Sequence, residues 1–153
     1  MHDCTVTTRW RVYLAGPMSG VQDYNYPLFA KVADRIRREK EWEWEVVSPA
    51  EMDNEDGIAA SLNPDHGRNG FLVKNGVRAK FLRRDFRILS ECDGIVLLPE
   101  WFNSTGANCE LAVARMMGLT IYEYVEWANG GWGLREADEL MPKLSKVMEQ
   151  MGD

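Results

Sequence analysis

Two acidic residues occupy positions where the surrounding sequence predicts buried, apolar side chains. Asp85 lies four residues before Leu89, and Glu110 lies three residues before Val113, each on the apolar side of a predicted helix. An ionised carboxylate is costly to bury alone, so each is expected to be hydrogen-bonded or to take part in chemistry. The alternative is that both lie at a helix edge and face water. If they are buried near each other, they are suited to acid, base or nucleophilic catalysis.

Other catalytic chemistries have few residues available. The only histidines are His2 and His66, and His66, which a Ser-His-Asp triad would require, lies in a polar, glycine-rich stretch. The three cysteines, Cys4, Cys92 and Cys109, form no C-x-x-C pair, which argues against a disulfide framework and against a zinc site. We therefore expect no metal and no cofactor, and we expect carboxylates to carry any catalysis.

Two loops contain residues suited to contact with a phosphate group. The loop L-A-G-P-M-S-G offers Gly16 and Gly20 for close backbone approach and Ser19 as a donor. A second loop precedes the helix of Glu110, where Ser104 or Thr105 can cap the helix and Gly106 permits a tight entry. Free amides at a helix N-terminus attract phosphate, although ordinary capping explains the same residues. Neither a G-x-G-x-x-G motif nor a P-loop is present.

Composition and charge exclude several classes of protein. The 153 residues fit one domain, and 45% hydrophobic with 27% charged residues is typical of a globular chain. A net charge of −6 argues against general nucleic-acid binding. No apolar run approaches the roughly 18 residues of a membrane span, and the N-terminus does not resemble a secretory signal. We expect a cytoplasmic protein with neither nucleic-acid nor membrane partners. A basic cluster is interpreted as a solvated helix face, with steering of an anionic substrate as the alternative: Arg78, Lys80, Arg83, Arg84 and Arg87.

Strand and helix patterns alternate along the chain. Residues 1–9 are expected to be flexible, 53–76 to form a long loop insertion, and 101–106 a polar loop. The alternation predicts an α/β, single-domain, Rossmann-like (flavodoxin-like) fold whose parallel sheet has helices on both faces. Ligands in such folds bind beyond the carboxyl ends of the strands. The predicted strands are Trp10–Ala15, Trp44–Val47, Gly94–Leu98 and Leu119–Tyr124, and the predicted helices are Asp23–Lys40, Val77–Glu91, Ala107–Met117 and Arg135–Met151.

Four sequence elements occur in a set order. A strand that leads into Y-L-A-G-P opens the chain, and Asp85 lies eight residues before the aspartate of a C-D-G-I-V-L-L strand. The element Ser104-x-Gly106-x-x-x-Glu110 follows that strand. This set resembles the nucleoside 2-deoxyribosyltransferase superfamily, which includes the 2'-deoxynucleoside 5'-phosphate N-hydrolases and short phage-type relatives. The resemblance covers roughly residues 12–20 and 84–124.

The resemblance implies roles for individual residues. Glu110 matches the nucleophile that attacks the anomeric carbon, and Asp85 matches the carboxylate that positions the substrate and handles the proton at the leaving base. Tyr13 matches a tyrosine that hydrogen-bonds near the nucleophile. Met18 is expected either to line the base pocket, by the same analogy, or to pack in the core. Trp101, which flanks the loop, is expected to stack on the base. The substrate-binding residues we expect are Gly16, Pro17, Met18, Ser19, Gly20, Trp101, Ser104 and Gly106.

Ser104 bears on the substrate. In transferases that act on unphosphorylated nucleosides, the residue six before the nucleophile resembles an aspartate; in the monophosphate hydrolases it resembles a serine. An aspartate would repel a phosphate dianion, whereas a serine at a helix N-terminus would not. Ser104 therefore predicts a nucleoside 5'-monophosphate as the substrate.

The expected function is that of a nucleotide N-glycosidase acting on a nucleoside or deoxynucleoside 5'-monophosphate through a covalent glycosyl–Glu110 intermediate. Three alternatives stay open: a nucleoside 2-deoxyribosyltransferase that exchanges bases, a non-catalytic nucleotide-binding module on the same fold, and a generic flavodoxin-like interaction domain whose carboxylates are coincidental. By the same resemblance we expect a homodimer or a higher homo-oligomer, in which a neighbour completes the phosphate site near residues 126–133. The sequence names neither the base nor the sugar.

Overall fold

The computed structural model describes residues 9–55, 75–136 and 149. Within these ranges the chain forms a five-stranded, mostly parallel sheet with helices packed against it, which confirms the predicted α/β, Rossmann-like fold. The elements are β1 (Trp10–Ala15), a 3-10 turn (Gln22–Asn25), α1 (Tyr26–Lys40), β2 (Trp44–Val47), α2 (Pro49–Glu55), α3 (Asn75–Leu89), β3 (Gly94–Leu97), a second 3-10 turn (Trp101–Asn103), α4 (Thr105–Met116), β4 (Thr120–Glu126) and β5 (Trp132–Glu136).

The sheet has the strand order β2-β1-β3-β4-β5. Strand β1 is central, and its Tyr13 pairs with Val47 of β2 on one side and Ile95 of β3 on the other. Strands β2, β1, β3 and β4 are parallel, so their carboxyl ends reach the same edge of the sheet. Strand β5 runs antiparallel to β4.

The central strand contributes to two apolar layers because successive side chains of a strand point to opposite faces. Tyr13 and Ala15 pack in the layer with residues of α3 and α4. Val12 and Leu14 pack in the layer with residues of α1. A strand buried on both faces reads as a continuous apolar run, which is why Val12 to Ala15 showed no alternation in the sequence.

The structure corrects several of the predicted helix boundaries. The helix expected from Asp23 begins instead at Tyr26, because Asp23, Tyr24 and Asn25 adopt left-handed φ angles of 54°, 54° and 61°. The other predicted helices begin or end one to two residues away from the observed ones, with α4 starting at Thr105 inside the predicted polar loop.

The helix predicted at the C-terminus, Arg135–Met151, is wrong at its first residues. Arg135, placed in a helix by the sequence, lies in β5, which pairs with β4 through a hairpin that includes the left-handed Gly130. Trp132 of this strand stacks on Tyr124, a contact that local periodicity does not reveal. Residues 137–148, 150 and 151 of the predicted helix lie outside the described residues.

The predicted flexible N-terminus, 1–9, and the predicted loop insertion, 53–76, fall only partly within the described residues. Of the predicted flexible N-terminus, residues 1–8 lie outside the described residues, while Arg9 donates hydrogen bonds to the carbonyl oxygens of Glu41 and Trp44. Of the predicted loop insertion, Asp53 belongs to α2 and Asn75 to α3, and residues 56–74 lie outside the described residues. Among the described helices, none has the length and apolar character required to cross a membrane.

Candidate active site

Three of the predicted site residues belong to elements that meet around β1. Tyr13 lies in β1, Asp85 in α3 and Glu110 in α4. The hydroxyl of Tyr13 donates a hydrogen bond to the Glu110 carboxyl oxygen Oε2, which joins residues 97 positions apart in the chain. The Asp85 charge acts on both side chains. The structure therefore brings the three predicted catalytic residues into one electrostatically coupled group.

Glu110 is buried because of its position on α4. It shares the inner side of that helix with Ala107, Leu111 and Ala114, and 9% of its surface is exposed. The alternative in which Glu110 faces water at a helix edge is therefore wrong. Asp85 is also largely covered, with 16% of its side chain exposed.

Burial changes the protonation of Glu110. Loss of hydration raises its pKa to about 8; the Tyr13 hydrogen bond opposes this rise, and the negative charge of Asp85 adds to it. Burial raises the pKa of Tyr13 well above its usual value, and the charges of Glu110 and Asp85 raise it further. At neutral pH, Tyr13 is thus a neutral donor and Glu110 retains a proton. A buried carboxyl with a raised pKa is characteristic of catalytic sites.

Asp85 belongs to a second group of polar side chains that the sequence analysis missed. The Arg84 guanidinium contacts Asp85 Oδ1 through Nη2 at 2.9 Å and Asp53 Oδ1 of α2 at 2.6 Å. The Tyr26 hydroxyl donates to Asp53 Oδ2 at 2.8 Å. The sequence interpretation of Arg84 as part of a solvated face is wrong, since 16% of its side chain is exposed. The position of Arg84 next to Asp85 in the sequence was the signal that could have identified it as part of this group.

The N-terminus of α4 has the capping geometry predicted for Ser104. The Ser104 Oγ accepts a hydrogen bond from the Ala107 amide at 3.1 Å. Among the described residues, the nearest atom to a Cβ placed on Gly106, beyond its chain neighbours and the helix backbone, is Ser104 Oγ at 3.9 Å. The described part of the chain therefore leaves space beside the first turn of α4.

The loop after β1 combines packing with an exposed tip. A Cβ at Gly16 would lie 2.8 Å from Leu98 Cβ, so glycine here permits the loop to pack against the end of β3. The Pro17 carbonyl accepts a hydrogen bond from the Asn25 side chain at 2.9 Å, and Met18 packs against the apolar layer of α1. Ser19 is exposed, and Gly20 has a left-handed φ of 83°.

The structure corrects the prediction for Trp101. Its side chain is fully buried in the apolar layer of α3 and α4, and its indole nitrogen donates to Glu123 Oε2 at 3.1 Å. A ring held in this way is not presented to a base. The neighbouring Phe102 is 45% exposed and lies edge-on to Trp101. Trp101 is therefore part of the support beneath the loop.

A protein family model matches most of the chain. Residues 10–123 match the family described as a domain of unknown function, DUF4406. The chain belongs to this family. The DUF4406 match begins at β1, extends into β4 and includes Tyr13, Asp85 and Glu110. No curated protein matches the chain. Within the described residues of this DUF4406 protein, no group of three or more His, Cys, Asp and Glu side chains is arranged to hold a metal ion.

The burial of Glu110 predicts a pH-dependent cost to stability. Because its pKa rises from 4.5 to about 8 on folding, its contribution to stability is complete below pH 4.5 and is lost as the pH rises through 8. Glu110→Gln removes this loss, so the free energy of unfolding of the variant should exceed that of the wild type by roughly 2–4 kcal/mol at pH 9. The difference should be smallest at acid pH.

Urea unfolding of both proteins across this pH range measures the difference. Glu100→Gln, at an exposed position, is the matched control and should follow the wild type. A Glu110→Gln curve parallel to that of the wild type at every pH would show that Glu110 is not buried as a titrating carboxyl.

Proposed function

We propose that this protein is a nucleotide N-glycosidase that releases the base from a nucleoside or deoxynucleoside 5'-monophosphate. The observation that carries the proposal is the buried Glu110 carboxyl, hydrogen-bonded by Tyr13 and electrostatically coupled to Asp85. The resemblance of these residues and Ser104 to the nucleoside 2-deoxyribosyltransferase superfamily supports the same assignment. We infer a cytoplasmic enzyme whose partner is its small-molecule substrate and which assembles as a homodimer or higher homo-oligomer.

The first step forms a bond to the sugar and breaks the bond to the base. A Glu110 carboxylate oxygen attacks C1', and the electron pair of the C1'–N bond leaves with the base. Positive charge develops on the sugar ring, and the nearby carboxylate stabilises it and then traps it as an ester. The departing base nitrogen takes a proton from Asp85, which completes the release of a neutral base.

The proton for this step is already present in the free protein. With a pKa of about 8, Glu110 carries it at neutral pH, while Asp85 lies against the Arg84 cation. Before the reaction begins, this proton must pass from Glu110 to Asp85. Glu110 is then the ionised nucleophile and Asp85 is the acid. Two coupled carboxyls that share one proton supply both forms at once.

The second step restores the protein. Water gives a proton to Asp85 and its oxygen attacks C1' of the ester, which releases the sugar 5-phosphate and the Glu110 carboxylate. The proton on Asp85 then passes back to Glu110, which restores the free protein. The net reaction consumes one water and yields a free base and a sugar phosphate. An acceptor base in place of water would give the transferase reaction.

The substrate assignment rests on the geometry of α4. Ser104 caps this helix and Glu110 follows six residues later, a separation of about 9 Å along the helix axis. A phosphate at the open N-terminus of α4 would meet the helix dipole and free amides, with Ser19 and Gly20 of the first loop as further contacts.

Base release from nucleotides tests this proposal. The purified protein should release free base from at least one of the common ribo- or deoxyribonucleoside 5'-monophosphates, as measured by chromatography. Glu110→Gln, which removes the nucleophile but keeps the shape, should lower the rate by at least about 10⁴-fold. Nucleotide affinity measured by calorimetry should change little.

A parallel assay with unphosphorylated nucleosides and an acceptor base separates the alternatives. Exchange confined to nucleosides would replace the hydrolase with a transferase. Saturable nucleotide binding without base release or exchange would replace both with a binding module. Full activity of Glu110→Gln would refute the mechanism.

Ser104→Asp tests the phosphate site. Aspartate also caps helices well, so α4 should be retained, while its charge repels a phosphate dianion. The ratio of kcat/KM for the monophosphate to that for the nucleoside should fall by roughly 100-fold. Asn103→Asp adds the same charge at an exposed neighbouring position and serves as the control. Equal ratios in wild type and Ser104→Asp would remove Ser104 from the phosphate site.

A further inference from the structure

Arg84 is held on three sides by described residues. Its Nη2 contacts Asp53 Oδ1 at 2.6 Å and Asp85 Oδ1 at 2.9 Å, and its Nε donates to the same Asp85 oxygen at 3.0 Å. The guanidinium carbon lies 5.3 Å from the centre of the Phe81 ring. A single cation thus links α2 to the proposed acid of the site.

The contact between Arg84 and Asp85 does not follow from helix geometry. Adjacent residues on a helix point in different directions, and their side chains do not face each other. The Arg84 side chain reaches Asp85 while Asp53 contacts the guanidinium from another helix. Asp53 is fixed in turn, because Tyr26 at the start of α1 donates to its second oxygen.

Charge and burial argue that Arg84 serves these carboxylates and does not bind the substrate phosphate. Asp53 and Asp85 both contact the guanidinium, so the positive charge of Arg84 is already paired with two carboxylates and is less available to a phosphate dianion. The side chains of Arg84 and Asp85 are each 16% exposed and that of Asp53 is 9% exposed. Arginine suits this arrangement because its planar fork donates to two carboxylates at once.

We propose that Arg84 is a positioning residue for the glycosidase reaction, which fixes the Asp85 carboxyl toward the leaving base, and that Asp53 acts only by holding Arg84. The inference rests on the proposed function and adds two residues to it. Tyr26 anchors the outer end of this chain of contacts. Neither Asp53 nor Arg84 touches the substrate in this account.

Steady-state kinetics of four variants tests the proposal, with the deoxynucleoside 5'-monophosphate that the wild type cleaves as the probe. Arg84→Gln should lower kcat about 100-fold and change KM less than about threefold, because a misplaced acid slows the chemistry and leaves binding intact. Asp53→Asn should lower kcat about tenfold, and Arg84→Lys should restore part of the activity. The double variant Arg84→Gln/Asp53→Asn should be no slower than Arg84→Gln alone.

The double variant also allows the test to be made if Arg84→Gln does not fold. Arg84→Gln leaves Asp53 buried without its cation, whereas the double variant removes both charges. Circular dichroism establishes which variants fold. Glu51→Gln is the matched control: it breaks the salt bridge between Arg37 and Glu51, which links α1 to α2 two residues before Asp53, and it should leave kcat unchanged.

Different failures have different signatures. Absence of base release by the wild type would overturn the proposed function and this inference together. With an active wild type, an unchanged kcat in the Arg84→Gln protein, or in the double variant if the single one is unfolded, would overturn the inference alone. A raised KM for the monophosphate with kcat intact would make Arg84 a phosphate ligand instead. The inference would also be overturned if the losses of kcat in Arg84→Gln and Asp53→Asn multiplied in the double variant. A loss of kcat in Glu51→Gln equal to that in Asp53→Asn would overturn it as well.

Discussion

The burial of one carboxyl group, that of Glu110, is the constraint on which the rest of the site depends. An ionised carboxylate is unfavourable away from water, so the fold must either neutralise it or surround it with donors. Here both occur, since Tyr13 donates a hydrogen bond and a raised pKa keeps a proton on the carboxyl at neutral pH. The buried carboxyl contributes less to the stability of the fold than a buried apolar side chain would. Such a cost is typical of functional sites.

The parallel sheet makes this arrangement possible. Strand β1 lies between β2 and β3 and is buried on both faces, so a side chain from one of these faces meets helices α3 and α4, which follow in sequence much later. Gly16 then lets the next loop pack against Leu98 at the end of β3. Helix α4 contributes twice, because its N-cap is Ser104 and its inner side carries Glu110.

The fold and the centre of the site could be predicted because their signals are local. Apolar runs identified β1 and β3, and acidic residues on apolar helix sides identified Asp85 and Glu110. Other features depend on distant contacts. Arg84 appeared to belong to a solvated basic face because its partner Asp53 is 31 residues away in the chain. Trp101 appeared free to stack because Glu123, which holds its indole nitrogen, lies 22 residues further along. Strand β5 is stabilised by β4, which no window of its own sequence reveals.

The central claim is that the sugar becomes covalently attached to Glu110. Rapid mixing of the protein with a cleaved deoxynucleoside 5'-monophosphate, followed by acid quench, proteolysis and mass spectrometry, tests it directly. A transient mass increase equal to one sugar 5-phosphate unit is expected on the peptide that contains Glu110. Base release with that peptide unmodified at every time point, or with the sugar attached to another residue, would contradict it.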